Sequence, residues 1–217
     1  MNGLYAILDL DAWRARGVDP AQPSVAEDIA RAFIDGGASA LQLRAKHEGG
    51  RATLDLLRRL ARVASATPLY ANDRADLAAL ARTHGVHVGQ DDLAVSDVRS
   101  CFSGLAIGVS THNEAQLRLA LAAAPTYVAF GPVFGTTSKA RPDPTVGLDG
   151  VRRASELARQ ANVPLVVIGG IDRARLPEVR AAGATWFAVI SDLIAVRDGR
   201  PDLLEITKRA RAYGPTP

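Results

Sequence analysis

One short stretch of the chain carries an amide and two cations at a spacing that suits a single ligand. Residues 42–46 read Gln-Leu-Arg-Ala-Lys and close an apolar segment with the character of a buried strand. Because side chains alternate across a strand, Gln42 and Arg44 share a face, and Lys46 follows two residues later. An arginine fork and a lysine point charge aimed at one place suit a phosphate or diphosphate. The alternative is a separate surface salt bridge for each cation.

A second polar group lies in the segment YVAFGPVFGTTSKARPDPTVGL, residues 127–148. The segment begins like a buried strand and then presents Thr136, Ser138 and Lys139 in quick succession. Hydroxyls and an ammonium directly after a strand indicate an anion site. An ordinary solvated turn is the alternative, and the other strand ends have to decide between them.

Carboxylates follow two further strands. Asp73 comes directly after Asn72, and Asp92 closes the sequence Gly89-Gln90-Asp91-Asp92. Any one of these side chains could cap a helix or form a turn. Two facing carboxylates with few other protein ligands suit Mg²⁺, which keeps several waters and shares the phosphate oxygens of a substrate. Taken together, the pattern predicts a magnesium site.

The remaining strand ends add weaker signals. Gly169-Gly170 would let backbone N–H groups approach an anion, although turns use glycine routinely. His112, which follows Ser110 by two residues, is a candidate general acid or base, or a cap for the next helix. His87 is expected to be structural or to form the wall of a pocket. The sequence has no nucleophile–base motif, so the residues at the strand ends predict stabilisation of anions and a metal rather than covalent catalysis.

These groups need elements that place them on one rim. Short apolar runs alternate with amphipathic segments, which predicts parallel strands joined by crossover helices. Eight such units predict an α/β fold with a single (β/α)₈ TIM barrel as one domain over residues 1–217. A doubly wound sheet would show a glycine fingerprint after its first strand, and this chain has LDLDAW there. The predicted strands are 4–9, 40–44, 68–72, 85–89, 105–110, 127–131, 164–169 and 185–191, and the predicted helices are 25–35, 52–64, 74–82, 95–101, 114–123, 148–160, 174–182 and 202–212.

The composition narrows the class of protein. The chain has 217 residues, is 47% hydrophobic and carries a net charge of +3 without a basic tract, so small anionic ligands suit it better than nucleic acid. A single cysteine excludes an internal disulfide framework. We expect neither a signal peptide nor a membrane helix, because the apolar run at the N-terminus is broken by Asp9 and Asp11, and no run approaches about 20 apolar residues. The predicted location is cytoplasmic.

The segments at the strand ends resemble the thiamine-phosphate synthase family, also called thiamine-phosphate pyrophosphorylase. In chain order they are QLRAK, NDRADLA, GVHVGQDDL, IGVSTH, GPVFGTTSK and IGGI. Each segment alone is a modest signal, but their order, one to each strand end, is specific. The resemblance runs from LYAILD to the FAVIS of strand eight and so covers nearly the whole chain.

The resemblance implies a (β/α)₈ enzyme that joins 4-amino-2-methyl-5-hydroxymethylpyrimidine diphosphate to a 4-methyl-5-hydroxyethylthiazole phosphate. The products are thiamine phosphate and pyrophosphate. In the implied mechanism pyrophosphate leaves first, and the thiazole nitrogen captures the pyrimidinylmethyl cation that remains. The implied cofactor is Mg²⁺, with Asp73 and Asp92 as its ligands.

The resemblance also implies a role for each matching residue. The pyrimidine substrate and its diphosphate would contact Gln42, Arg44, Lys46, Asn72, Ser110 and Lys139. The thiazole partner would contact Thr136 and Ser138, and its phosphate would contact Gly170, Ile190 and Ser191. The expected catalytic residues are Arg44, Lys46, Ser110 and Lys139.

Asp192 departs from the family pattern, which usually has a small residue after the serine. A carboxylate there would repel a phosphate unless it is turned away. Two other functions stay open: a thiazole tautomerase-like isomerase that uses His112, and a catalytically silent regulatory binding protein. The cations and carboxylates favour the synthase. The expected partners are small phosphorylated substrates, without nucleic acid or membrane, and a homodimer is left open.

Overall fold

The computed structural model describes residues 2–135 and 143–214. Within these residues, eight parallel strands close into a barrel in sequence order, and β1 pairs with both β2 and β8 to complete the ring. The predicted (β/α)₈ architecture is therefore confirmed. The strands are β1 Gly3–Asp9, β2 Ala38–Arg44, β3 Leu69–Asn72, β4 Gly85–Val88, β5 Ala106–Thr111, β6 Tyr127–Phe130, β7 Leu165–Ile168 and β8 Trp186–Val189.

Helices join the strands and surround the barrel. They are α1 Leu10–Arg14, α2 Val25–Asp35, α3 Gly50–Ala64, α4 Ala75–Ala81, α5 Val95–Cys101, α6 Glu114–Ala122, α7 Gly147–Gln160, α8 Leu176–Ala181 and α9 Leu203–Arg211. Every predicted strand and helix is present, with bounds within two residues of those expected. Three further elements are not predicted by the sequence pattern: α1, a 3₁₀ turn at Ser191–Leu193, and a small hairpin of β9 Val196–Arg197 and β10 Arg200–Pro201. No described helix combines the length and the apolar content needed to cross a membrane.

Alternation along the strands divides the core into two clusters. Outward-facing side chains pack against the helices, whereas inward-facing ones fill the barrel. The interior near the N-terminal ends of the strands is filled by aromatic rings. Tyr5 stacks on Trp186 at 5.4 Å between ring centroids, and Tyr70 and Tyr127 meet edge to face at 5.2 Å. These rings fill the lower part of the barrel, below the polar residues at the C-terminal ends of the strands.

Gly108 in β5 makes room for one of these rings. A Cβ atom at this position would lie 2.0 Å from Cζ and 2.3 Å from the hydroxyl oxygen of Tyr127, closer than any side-chain contact allows. Its missing side chain therefore lets the Tyr127 hydroxyl cross the barrel beside β5.

Candidate active site

A cavity of about 600 Å³ opens at the C-terminal ends of the strands. The structure brings together there all the described residues that the sequence singled out as ligands of substrate or metal. They are Gln42, Arg44, Lys46, Asn72, Asp73, Asp92, Ser110, Gly170, Ile190 and Ser191. Thr136, Ser138 and Lys139 lie outside the described residues.

Arg44 is held at the rim by Asp9, which is not among the residues that the sequence predicts for the site. Its Nη1 donates to Oδ2 of Asp9 at 2.5 Å, and Asp9 is 1% exposed. The other oxygen of Asp9 accepts from the backbone N of Ala12 at 3.0 Å and so caps α1. Asp9 thus ties the last residue of β1 to the guanidinium at the end of β2, and Arg44 still lines the cavity.

An amide pair forms the wall beside Arg44. Nε2 of Gln42 donates to Oδ1 of Asn72 at 2.7 Å, which joins the ends of β2 and β3. The pair occupies one donor and one acceptor, so the amide oxygen of Gln42 and the amide nitrogen of Asn72 retain hydrogen-bonding capacity.

Carboxylates and a cation meet on the same side of the cavity. Nζ of Lys46 lies 3.3 Å from Oδ2 of Asp73. Burial, followed by the neighbouring Asp92 carboxylate, raises the pKa of Asp73, and the Lys46 ammonium opposes the rise. Two carboxylates close enough to disturb each other in this way gain stability from an added cation.

The capping alternatives for these aspartates have different outcomes. The N-cap residue of α4 is Arg74, which makes no side-chain capping bond, so neither Asn72 nor Asp73 caps that helix. Asp73 instead adopts a left-handed backbone conformation with φ of +62°. Asp92 does support a turn, because its Oδ2 accepts from the backbone N of Gly89 at 2.7 Å.

The donor set suits one kind of metal ion better than others. Across the described residues, no group of three or more histidine, cysteine, aspartate or glutamate side chains is placed to hold a metal. Two carboxylates are enough for Mg²⁺, which completes its shell with waters and substrate phosphate oxygens. The residues present therefore fit Mg²⁺ and do not fit a protein-enclosed zinc or calcium site.

Ser110 is attached to a buried chain of polar groups. Its Oγ lies 2.8 Å from Nε2 of His87, and Nδ1 of His87 lies 2.8 Å from the hydroxyl of Tyr127. The Tyr127 hydroxyl lies 2.7 Å from that of Tyr5. His87 therefore forms part of the pocket wall, which was one of the two roles predicted for it. It also links the cavity to the aromatic floor.

His112 does not cap α6, because that position belongs to Asn113, whose side chain accepts from Gln116 N. Nδ1 of His112 lies 2.7 Å from the carbonyl oxygen of Gly131, and Nε2 lies 3.6 Å from Oδ2 of Asp143. A carbonyl oxygen only accepts, so Nδ1 carries the proton and Nε2 faces the carboxylate.

The rim at β7 and β8 is built from backbone. Gly170 has φ of +63°, and a Cβ there would lie 2.6 Å from the carbonyl oxygen of Gly135, so only glycine fits where the two loops meet. Ile190 and Ser191 also line the cavity.

Asp192 is turned away from this rim, as a phosphate site would require. Its Oδ2 accepts from Nε of Arg173 at 2.9 Å and from the Tyr213 hydroxyl at 2.8 Å. Burial and then this carboxylate raise the pKa of Tyr213, which keeps the hydroxyl protonated as a donor. Asp192, which departs from the family pattern, is thus bound by Arg173 and Tyr213 instead of facing the phosphate site.

The family model and the curated relatives that match the chain point to one family. The family model described as thiamine monophosphate synthase matches residues 18–193. The thiamine-phosphate synthase of Koribacter versatilis is 43% identical over 193 residues, 88% of each chain, and that of Escherichia coli K12 is 37% identical over 212 residues, covering 94% of this chain and 92% of its relative. Among solved structures, thiamine phosphate pyrophosphorylase from Pyrococcus furiosus superposes with a TM-score of 0.79 at 26% identity, covering 97% of this chain and 93% of the other.

Proposed function

The chain belongs to the thiamine monophosphate synthase family, and on that premise we propose how its cavity performs the condensation. The enzyme condenses a pyrimidine and a thiazole moiety in thiamine biosynthesis. The proposed substrates are 4-amino-2-methyl-5-hydroxymethylpyrimidine diphosphate and 4-methyl-5-hydroxyethylthiazole phosphate, and the proposed products are thiamine phosphate and pyrophosphate. The comparisons favour neither the isomerase nor the silent binding protein.

The observation that carries the proposal is the meeting of two cations and two carboxylates in one cavity that also has an uncharged amide wall. Arg44 and Lys46 supply positive charge, and Asp73 and Asp92 lie beside them. A diphosphate with a divalent cation suits both charge types at once, because the diphosphate attracts Arg44 and Lys46 and the cation attracts Asp73 and Asp92.

Asp73 and Asp92 would hold Mg²⁺. When bound, the ion supplies charge stabilisation for the departing diphosphate. Lys46 already lies against Asp73, so the same ammonium is positioned to contact a diphosphate that approaches the carboxylates.

The amide pair would orient the pyrimidine. With Gln42 Nε2 committed to Asn72 Oδ1, the remaining amide oxygen of Gln42 can accept from an exocyclic amino group, and the remaining amide nitrogen of Asn72 can donate to a ring nitrogen or a phosphate oxygen. A planar aminopyrimidine presents both kinds of group, so the wall selects its orientation.

The leaving diphosphate would be stabilised by Arg44, Lys46 and Ser110, with Lys139 added from outside the described residues. These groups donate hydrogen bonds or positive charge and none has to act as a nucleophile. The C–O bond of the pyrimidine substrate breaks with its electron pair on pyrophosphate. The thiazole nitrogen then donates its lone pair to the pyrimidinylmethyl cation.

The thiazole phosphate would bind at the β7–β8 rim. Backbone N–H groups of Gly170, Ile190 and Ser191 suit an anion, and the bonds that Asp192 makes elsewhere remove its carboxylate from this place. Thr136 and Ser138 would contact the thiazole itself. We also propose a single domain over residues 1–217 and a cytoplasmic location, and gel filtration with light scattering would test for a homodimer.

The test is product formation by the purified chain. Both substrates with Mg²⁺ should give thiamine phosphate and pyrophosphate in equal amounts, measured by chromatography and a pyrophosphate assay. Thiazole phosphate that isomerises without the pyrimidine substrate would instead support the isomerase. Binding of both ligands without any product would support the silent protein.

A further inference from the structure

Four polar side chains form a continuous line from the floor of the barrel to the cavity. In order they are Tyr5, Tyr127, His87 and Ser110, joined by contacts of 2.7, 2.8 and 2.8 Å. The first three are at most 8% exposed, and only Ser110 reaches the cavity as a hydroxyl. Each hydroxyl has one hydrogen to give, so the line must have a direction.

The floor of the barrel decides that direction. Among the described residues, the only hydrogen-bond partner of the Tyr5 hydroxyl is the hydroxyl of Tyr127. Burial raises the pKa of both hydroxyls well above the usual range, so each keeps its hydrogen. If Tyr127 donated to Tyr5, the hydrogen of Tyr5 would be buried without an acceptor, which costs about 1–3 kcal/mol. Tyr5 therefore donates to Tyr127.

The remaining bonds follow in sequence. Tyr127 has accepted from Tyr5 and gives its own hydrogen to Nδ1 of His87. A ring nitrogen that accepts carries no proton, so the proton of the neutral ring sits on Nε2 and is donated to Ser110 Oγ. The hydroxyl hydrogen of Ser110 is then the one hydrogen of these polar groups that is not used within the line, and it is available to the cavity.

We propose that Tyr127, backed by Tyr5, is a positioning residue that fixes the Nε2–H tautomer of His87 and thereby turns the Ser110 hydroxyl hydrogen toward the substrate. With the opposite tautomer, His87 would take that hydrogen and Ser110 would present only lone pairs. Because a leaving diphosphate needs donors, one tautomer helps the reaction and the other hinders it. The consequence for catalysis rests on the proposed function, whereas the tautomer does not.

The packing around Tyr127 also supports a positioning role for this residue. Gly108 leaves the space through which the hydroxyl reaches His87. The His87 ring also lies nearly parallel to that of Tyr127, with 5.6 Å between centroids and 19° between planes, which restricts rotation of the imidazole.

The tautomer can be measured without substrate. Histidine labelled with ¹⁵N gives separate ring signals, and the His87→Gln variant identifies those of His87 among the four histidines. The expected native spectrum has an unprotonated Nδ1 and a protonated Nε2. A protonated Nδ1 in the native protein overturns the proposal, whether or not the chain makes thiamine phosphate.

Kinetics then test the consequence. Tyr127→Phe removes the donor to Nδ1, and we expect kcat to fall about tenfold to a hundredfold, the range for losing a hydrogen bond to a charged group. The KM for the thiazole phosphate should change less than about twofold, since one bond to one substrate is affected. The matched control is Tyr70→Phe, because Tyr70 is equally buried and its hydroxyl has no partner among the described residues. It should keep native turnover.

A double-variant cycle separates positioning from simple support. If Tyr127 acts through Ser110, the variant with both Tyr127→Phe and Ser110→Ala should be no slower than Ser110→Ala alone. Losses that add in the double variant, or equal losses in Tyr127→Phe and Tyr70→Phe, overturn the proposal. Failure of the native chain to form product refutes the proposed function and leaves the tautomer measurement standing as its own test.

Discussion

Asp9→Asn removes the charge that holds Arg44 and keeps the side-chain oxygen that caps α1. Asparagine is as good an N-cap residue as aspartate, so the bond to the backbone N of Ala12 survives the change. What is lost is the 2.5 Å contact between a carboxylate that is 1% exposed and a guanidinium that is 17% exposed. The variant therefore isolates one buried charge pair.

The expected loss is about 2–3 kcal/mol in the free energy of unfolding. A hydrogen bond to a charged group contributes about 1.5–3 kcal/mol, and removing one partner of a fully buried pair costs about 3–5 kcal/mol. The partial exposure of Arg44 at the rim lets water reach the orphaned guanidinium, which places the expected value below the fully buried range. Asp9→Ala should lose about 1 kcal/mol more, because the cap is lost as well.

Asp202→Asn is the matched control. Asp202 also caps a helix, α9, through the backbone N of Glu205, and it also pairs with an arginine, at 2.6 Å. That arginine, Arg197, is 73% exposed, so the pair should contribute less than about 1 kcal/mol. The two aspartates thus differ mainly in the burial of the cation they hold.

Urea unfolding followed by circular dichroism measures both variants. We predict a clearly larger loss of unfolding free energy at position 9 than at position 202, with unchanged m-values. Because Arg44 is a proposed diphosphate ligand, the KM for the pyrimidine diphosphate should also rise about tenfold in Asp9→Asn, which corresponds to about 1.4 kcal/mol. Equal losses of stability at the two positions, or native KM at position 9, would refute the reasoning.

Three further changes test other parts of the site. Asp92→Asn keeps an oxygen for Gly89 N, so the fold should persist while turnover falls at least about tenfold and partly recovers at high Mg²⁺; native turnover would contradict the metal site. Lys46→Ala should weaken pyrimidine diphosphate in calorimetric titration and spare thiazole phosphate, and equal losses for both ligands would argue against the assignment. Gly108→Ala should lose about 1–3 kcal/mol of unfolding free energy by overpacking Tyr127. The control Gly49→Ala should lose less than about 1 kcal/mol, because the space around its Cβ position is open and its φ is −65°. Similar losses in the two variants would refute the close contact between Gly108 and Tyr127.

The sequence predicted the barrel well because its strongest signals are local. Apolar runs and amphipathic helices alternate through the chain, and parallel strands place all their C-terminal ends on one rim. That rule alone is enough to predict that Arg44, Asp73 and Ser110 lie on one rim. The same rule applies to Asp9, which ends β1, although in the sequence its charge stands out only as a break in the apolar N-terminal run.

The long-range hydrogen bonds could not be predicted in this way. Alternation places His87 on the inward face of β4, but its partners lie 23 and 40 residues further along the chain, and Tyr5 lies 122 residues before Tyr127. Which inward side chains meet depends on the register of the strands and on closure of the ring. Gly108 shows the same limit, because glycine is needed there to make room for the Tyr127 ring from the neighbouring strand.

Capping shows where residue type alone misleads. Asp73 and Asp92 had the same alternatives in sequence, yet α4 begins without a side-chain cap, whereas Asp92 holds the turn at Gly89. Asp73 and Asp92 differ because the backbone takes a different direction after each strand. Asp73 takes a left-handed conformation, and its carboxylate meets Lys46 instead of the helix.

The most direct test of the proposed chemistry is release of pyrophosphate by the purified chain with both substrates, with and without excess chelator. We predict one pyrophosphate for each thiamine phosphate formed in the presence of Mg²⁺, and loss of both products when the ion is removed. Full activity in excess chelator would contradict the role proposed for Asp73 and Asp92, and absence of thiamine phosphate under any condition would contradict the proposed function itself.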